Sequence, residues 1–373
     1  MNAQMDKFEE FELLCKHRKN SAQRNLDKNK PTWIFGAGNF GRDQAKILID
    51  ENYNLHGFIE TRPKLNQLLG LPVLPWEQLT AENKQAQLVI GIFNRGMPLD
   101  ELRKLAEDSG FSDIFMPWDI YEQFGKILGW RFWLSEPEVI LNSLEAIKSA
   151  YDLLADDASK KCLLDILSFR LGLNTNYASF SHTENQYFNQ LTLSSLKERQ
   201  IVYVDCGAYN GDTLGEISKE VDILEAWLFE PDTQNFSDLV GNIKKMKINA
   251  SCIPCGVSDK YEILTFNGGG EGGAISEMGS QRIVTVALDQ ILPIKKIDFL
   301  KLDIEGAEAQ ALIGAKEIIK RSRPVIALSL YHLPKDPWEL PAVLQKLCQD
   351  YNYFIRQHYF NSFESVLYAV PKH

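Results

Sequence analysis

Two stretches of the chain share one pattern: a short apolar run, a glycine-rich turn, and then apolar residues at helical spacing. In the first, Trp33 to Phe35 lead into Gly36-Ala37-Gly38-Asn39-Phe40-Gly41, and Ile47 and Leu48 lie on the helical period that follows. A second apolar run, Leu55 to Ile59, is closed by Glu60. In the second stretch, Ile201-Val202-Tyr203 runs into VDCGAYNGDT (204–213), a helix is expected from Thr213, and AWLFEPD (226–232) is the next strand. Strands are also predicted at 88–94 and 113–121, with an amphipathic helix over 99–106 between them. Further strand signals are INASCIPCGVSD, VTVALDQI, IDFLKLDIEGAE, RPVIALSLYH and the closing pair YFIRQHY and SVLYAV, with a helix near 338–350. The run from Glu138 to Leu173 repeats apolar residues at three-and-four spacing and reads as helix. Strands alternating with helices predict an α/β fold with mostly parallel sheets. The expected divisions are a helix and linker over 1–30, a Rossmann-like domain over 31–125, a helical connector over 126–195, and a second, larger domain over 196–373.

Composition narrows the function classes. The chain has 373 residues, 45% apolar and 24% charged, which suits an ordinary globular protein. A formal net charge of −10, without a long run of Lys or Arg, makes nucleic acid a poor partner. The first thirty residues are charged and polar and hold neither a signal-peptide core nor a bilayer-length apolar run, so a cytoplasmic chain without a membrane span is expected. The six cysteines are scattered. Cys252 and Cys255 have C-x-x-C spacing but no second ligand pair nearby for zinc, and they lie in a strand-like segment where a redox motif would open a helix.

The chemistry collects at the expected strand ends of the second domain: Asp205 with Gly207 and Gly211, then Glu230, Ser258 with Asp259, Asp303 with Glu305, and Tyr331 with His332. This rim is acidic and shows no Lys or Arg clamp. A pyrophosphate needs positive potential or free amides and is badly served there. A cationic, phosphate-free cofactor carrying a ribose is well served, because an acid at the second strand end can accept from both ribose hydroxyls. S-adenosylmethionine has those features. On this reading the small residues let the cofactor lie on the backbone, while Asp205 and its neighbours hold its charged end.

VDCGAYNGDT, FEPD and FLKLDIEGAE, in this order and spacing, resemble the FkbM-type methyltransferases. RPVIALSLYHLPKDPWELP with the closing SVLYAV is similar to the same family's C-terminal part. The resemblance implies a class I methyltransferase fold, a Rossmann-like, doubly wound, mostly parallel sheet. It also implies S-adenosylmethionine as methyl donor and O-methylation of a hydroxyl on a sugar, polysaccharide precursor or other natural product. It puts Asp205, Gly207 and Gly211 in the cofactor loop, Glu230 at the ribose, and Asp303 and Glu305 in the family's D-x-E-G-x-E segment; their neighbours Ala208, Asp212, Thr213 and Pro231 are expected to bind the cofactor with them. Ser258 and Asp259 join the cofactor set from the third strand end. The family often has Asn or His where this chain has Tyr209. The first domain resembles a small nucleotide-binding domain of some sugar-modifying acyltransferases (IFGAGNFG, GFIE, LPVLP). There Gly36, Gly38, Gly41 and Glu60 would hold a nucleotide or nucleotide-sugar; otherwise the domain serves docking or homodimerisation.

Methyl transfer to a small-molecule or glycan hydroxyl gains from a base, for which Asp303, Glu305 and His332 are the candidates. A buried core histidine is the plain alternative for His332. No metal is assigned, the rival for Asp303 and Glu305 being a divalent cation that binds a sugar diol. GGGEGGAIS is expected to be a lid over the acceptor pocket. Two other classes stay open: a nicotinamide-dependent oxidoreductase or epimerase working through the first fingerprint, and a non-catalytic nucleotide-sugar-binding protein of polysaccharide biosynthesis.

Overall fold

The structure is a computed structural model that describes residues 6–176, 184–196, 199–267, 274–275, 281–292 and 296–372. The expected lid GGGEGGAIS falls outside the described residues except for Ala274 and Ile275. Among the described residues no helix is long and apolar enough to cross a membrane. The chain divides into two compact units, one of residues 1–144, 164–181 and 359–363, the other of residues 145–163, 182–358 and 364–373.

The first unit is built on a six-stranded sheet. Its strands are β1 (Thr32–Phe35), β2 (Leu55–Ile59), β3 (Gln67–Leu68), β4 (Leu71–Leu74), β5 (Gln87–Ile90) and β6 (Asp113–Phe115), in the order β3-β4-β2-β1-β5-β6. All pairs are parallel except the β3–β4 hairpin. Apolar strand residues Ile34, Phe58 and Val89 bury against Ala45 and Leu48 of the helix Asn39–Asp50. The hairpin is absent from the sequence reading, because its turn is Leu69-Gly70, with φ of 53° and 77°. Leucine rarely adopts such a φ, so the usual Asn-Gly signal is missing. The strand expected over 113–121 stops at Phe115. Pro117 opens the helix Pro117–Leu128, and the Asp119 carboxylate accepts the Met116 N–H at 2.8 Å, capping it.

The second unit carries a seven-stranded sheet and a smaller four-stranded one. Its strands are β7 (Ile201–Cys206), β8 (Ile223–Phe229), β9 (Ala250–Ile253), β10 (Gly256–Val257), β11 (Glu262–Asn267), β12 (Ala274–Ile275), β13 (Gln281–Val286), β14 (Phe299–Leu302), β15 (Val325–Ser329), β16 (Tyr351–Gln357) and β17 (Ser365–Pro371). The large sheet runs β16-β17-β15-β14-β7-β8-β9, and the small one β10-β13-β11-β12. In the large sheet only β17 runs against its neighbours. Every residue of β7, β14 and β15 is buried, which explains their near-continuous apolar sequences. Phe188, Tyr203 and Phe299 pack at one centre, Phe299 lying 5.4 Å from Phe188 and 5.7 Å from Tyr203 between ring centroids.

From β7 the chain builds β8 and β9 on one side, then returns to lay β14 on the other. The strand order therefore reverses between β7 and β14, with Lys301 opposite Asp205 and Leu302 opposite Cys206. In doubly wound sheets ligands bind beyond the carboxyl ends of the strands at such a reversal. One expectation is corrected here. Ser258 and Asp259 do not end the third strand of this sheet; β9 stops at Ile253, and they follow β10 in the small sheet. The Pro254-Cys255 step interrupts what reads in sequence as one continuous strand.

Candidate active site

The loop after β7 is tied down by the strand beside it. The N–H groups of Gly207 and Ala208 both donate to the Phe229 carbonyl at 3.0 Å, and the Tyr209 N–H donates to Glu230 Oε2 at 2.9 Å. Gly211 then donates to the Ala208 carbonyl at 2.8 Å and opens the short helix Asp212–Ile217, inside which Thr213 is buried while Asp212 is exposed. Three successive amides of the glycine loop are thus used inside the protein. A phosphate would find no donor among them, so acceptors dominate this site.

The glycine at 207 has a protein-internal reason. Its φ is +84°, and a Cβ there would lie 1.9 Å from the Asp303 carbonyl oxygen. The small residue lets the end of β14 approach the loop, whether or not a ligand lies on the other side. Glu230 likewise has an internal role. It is only 6% exposed, and besides Tyr209 it accepts the Asp232 N–H through Oε1 at 2.9 Å. Burial raises its pKa from the ordinary glutamate value, and the two amides pull it back. The Asn235 side chain adds a third hydrogen bond to this carboxylate. Pro231, half-buried, follows it, and Asp232 caps the helix Thr233–Met246 by accepting from Gln234 and Asn235.

Asp205 turns into the sheet. Fully buried, it accepts from Lys301 Nζ at 2.8 Å through Oδ1 and from the Tyr203 hydroxyl at 2.8 Å through Oδ2. Lys301 also donates to the Gly207 carbonyl at 2.9 Å. The carboxylate expected to hold a ligand's amino group is committed to a lysine, and the site expected to lack a cation contains a buried one. Burial disfavours the charged amine, but Asp205 and Asp303 outweigh it and hold the Lys301 pKa above the lysine range. The ammonium joins Asp205 to the carbonyl two residues on and so fixes where the loop starts.

Across the reversal, Asp303, Glu305 and His332 come together. Asp303 ends β14 half-buried, held by the Tyr187 hydroxyl at 2.9 Å and the Tyr331 hydroxyl at 3.1 Å. His332 is buried. Its Nδ1 lies 2.7 Å from Glu308 Oε1, and its Nε2 lies 3.3 Å from Asp303 Oδ1 and 3.6 Å from Glu305 Oε2. Burial alone would depress this imidazole, yet the charges of Glu308, Glu305 and Asp303 hold its pKa well above the histidine range. A ring held in its charged form has no lone pair with which to accept a proton. Burial raises the Asp303 carboxyl, but Lys301 and His332 bring it below the ordinary aspartate value overall. Asp303 is therefore a charged carboxylate, 23% exposed, with Glu305 beside it at 22%.

Ser258 is buried beside exposed Asp259, to which its hydroxyl donates at 3.3 Å, and the Ser258 N–H pairs with the Val286 carbonyl of β13. In the first unit the fingerprint is wired much like the loop after β7. Gly36 N–H donates to the Ile59 carbonyl and Ala37 N–H to Glu60 Oε1, both at 2.9 Å. A Cβ on Gly41 would meet the Gly36 carbonyl at 2.0 Å, whereas around Gly38 nothing lies within 4 Å. Gly41 serves close helix–strand packing, and Gly38 is open.

Sequence reasoning passed over Lys301, Glu308 and Tyr187. A lysine flanked by leucines in FLKLD does carry a signal, since a charge inside a buried strand requires a partner. Glu308 is the last acid of the D-x-E-G-x-E segment but was given no role there, and Tyr187 carries no signal without the fold.

Residues 205–355 match a known family, the methyltransferase FkbM domain. The whole chain is similar to the crystal structure of methyltransferase FkbM from Methylobacillus flagellatus KT, at 20% identity and a TM-score of 0.75, over 97% of this chain and 98% of that one. That likeness shows the fold. Weaker similarities reach an rRNA methylase from Streptococcus thermophilus (14% identity, TM-score 0.34, 48% of this chain and 92% of that one) and precorrin-6y C5,15-methyltransferase from Geobacter metallireducens GS-15 (16%, 0.31, 52% and 93%). No curated protein matches the chain.

Proposed function

We propose that the FkbM-type methyltransferase domain formed by residues 205–355 methylates a hydroxyl oxygen, on a sugar or another natural product, with S-adenosylmethionine as methyl donor. The donor set fits this cofactor. Around the loop the available polar groups are carboxylate oxygens, while the amides that a pyrophosphate would need are used internally. Glu230, the carboxylate at the end of β8 beside the loop, would hold the ribose. The loop of Gly207 to Gly211, kept in place by Phe229, Glu230 and Lys301, would carry the remainder. When bound, the sulfonium supplies an activated methyl group that is displaced in line.

This chain's own contribution is to hold the acceptor oxygen in line and to stabilise its departing proton. Such alignment is worth several kcal/mol of barrier. The observation that carries the reading is Asp303: a partly exposed carboxylate at the end of the central strand, beside the loop, with its orientation fixed by two tyrosine hydroxyls. His332, buried and faced by carboxylates at both ring nitrogens, supports it electrostatically. Asp303→Asn keeps the shape and removes the charge. Turnover should fall by about a hundredfold or more while S-adenosylmethionine affinity by calorimetry stays within about threefold. Wild-type turnover at saturation in this variant would remove Asp303 from the chemistry.

A further inference from the structure

The segment that carries Tyr187 is held from its other side by a histidine. His358 follows β16 and is half-buried, with Nε2 2.6 Å from the Tyr368 hydroxyl and Nδ1 3.2 Å from the Glu184 carbonyl oxygen. Counting hydrogens fixes the state of this ring. A carbonyl oxygen carries no hydrogen, so the bond to Glu184 requires an N–H on Nδ1. The Tyr368 hydroxyl has one hydrogen and donates it to the Gln186 carbonyl. Toward His358 it can only accept, which requires an N–H on Nε2 as well. A ring that donates from both nitrogens is positively charged. The neutral ring keeps one N–H and must give up one of the two bonds. The elements around it bring Glu184, whose carbonyl it holds, and Glu364 just before β17, whose carbonyl accepts the His358 N–H at 3.2 Å. On β16, Arg356 is committed to Asp156 at 2.7 Å.

From the histidine the donors run in one direction. Tyr368 donates to the Gln186 carbonyl, and Gln186 Nε2 donates to the Tyr187 hydroxyl at 2.9 Å and to Glu364 Oε2 at 2.6 Å. The Tyr187 hydroxyl then donates to Asp303 Oδ2 at 2.9 Å. Each hydroxyl spends its hydrogen on the side of Asp303. A cation at one end and a carboxylate at the other set this order, and hydrogen bonds aligned in such a row polarise one another.

We propose that His358, as an imidazolium, is a positioning residue for the methyl-transfer site: it holds residues 184–187 in place and, through Tyr368 and Gln186, aims the Tyr187 hydroxyl at Asp303. This rests on the methyl-transfer reading, in which Asp303 acts on the acceptor. The sign of the pH dependence follows from the bonds. Both are present at low pH. As pH rises and the ring loses a proton, one bond is lost, the segment loosens and Asp303 loses a fixed donor.

The test compares the full wild-type chain with His358→Gln, which keeps a donor toward Tyr368 but does not titrate, and with His358→Leu, which keeps none. Hydrogen exchange is read in peptides covering 184–189 and corrected for the intrinsic effect of pH. Wild-type exchange should step up at least about tenfold as the ring titrates, His358→Gln should show no step, and His358→Leu should exchange fast at every pH. Nitrogen-15 spectra of the ring, assigned by their loss in His358→Gln, should show two N–H groups below the step and one above it. The carbon-13 signal of the Asp303 carboxyl, assigned with Asp303→Asn, should titrate at higher pH in His358→Leu than in wild type, because a hydrogen bond to the charged form favours it. A ring that is neutral throughout, exchange without a step, or an unmoved Asp303 titration would each overturn the proposal. If circular dichroism shows His358→Leu unfolded, the wild-type chain and His358→Gln decide. S-adenosylmethionine calorimetry on the wild-type chain keeps the two readings apart. Absence of cofactor binding sinks the methyl-transfer reading whatever the ring does, and cofactor binding with a neutral ring sinks the positioning role alone.

Discussion

Replacing Lys301 with methionine should loosen the loop after β7 far more than its position in a buried strand suggests. The Lys301 side chain is 3% exposed and the Asp205 side chain fully buried, and the ammonium bonds Asp205 at 2.8 Å and the Gly207 carbonyl at 2.9 Å. Methionine fills a similar volume, so the cavity contribution is small and the loss is electrostatic. Asp205 would be left buried with the Tyr203 hydroxyl at Oδ2. Breaking a buried pair from one side costs about 3–5 kcal/mol, whereas removing both charges is often nearly neutral. Asp205→Asn combined with Lys301→Met should therefore recover about 2 kcal/mol or more relative to the sum of the single variants. Hydrogen exchange of peptides covering 201–213 reads this locally, since about 1.4 kcal/mol corresponds to tenfold in the opening equilibrium. Lys301→Met should exchange at least about a hundredfold faster there. A change under about fivefold, or strict additivity in the double variant, would refute the clamp.

Two further substitutions test the loop from other sides. Gly207→Ala should destabilise the second unit by about 3 kcal/mol or more, because the left-handed φ and the Asp303 carbonyl at 1.9 Å leave no room for a Cβ; thermal melting within about 2 °C of wild type would contradict this. Glu230→Ala should cost about 2–4 kcal/mol by orphaning the Tyr209 and Asp232 amides, and should abolish S-adenosylmethionine binding even where calorimetry is run on fully folded protein. Undiminished affinity in that folded protein would take Glu230 out of the cofactor site.

The large sheet is readable in sequence because its central strands are buried on both faces. IVYVDC, FLKL and VIALS are short apolar runs bounded by turn residues, and each becomes a strand. The reading falters where a few residues change partners. GVSD continues an apolar run past Cys255, yet joins a different sheet, and a one-dimensional pattern does not show which sheet a two-residue strand enters. DIFMPWDIY kept its apolar character across Pro117 while its period changed from strand to helix. In the site, the acids were legible as types at strand ends, but their partners were not. Asp205 looked available because Lys301 lies 96 residues away and meets it only once β7 and β14 are side by side. Glu308 gains its meaning from His332, which the chain brings back on the following strand's end.

The position of β17 bears on how the second unit comes into being during synthesis. It lies between β15 and β16, both of which leave the ribosome before it, and pairs with each over several residues. Until 365–371 emerge, β16 lacks its partner in the large sheet, with only the bridge at Leu154 beside it, and β15 presents an open edge. That edge feeds the chemistry directly, because the Leu330 N–H donates to the Ser365 carbonyl at 2.8 Å, one residue before Tyr331 and two before His332. A nascent chain that already contains Asp205, Glu230, Asp303 and His332 therefore still lacks the strand that seats the last of them. Activity should switch on only once 365–371 have emerged, and truncation within those seven residues should act as a loss of the site.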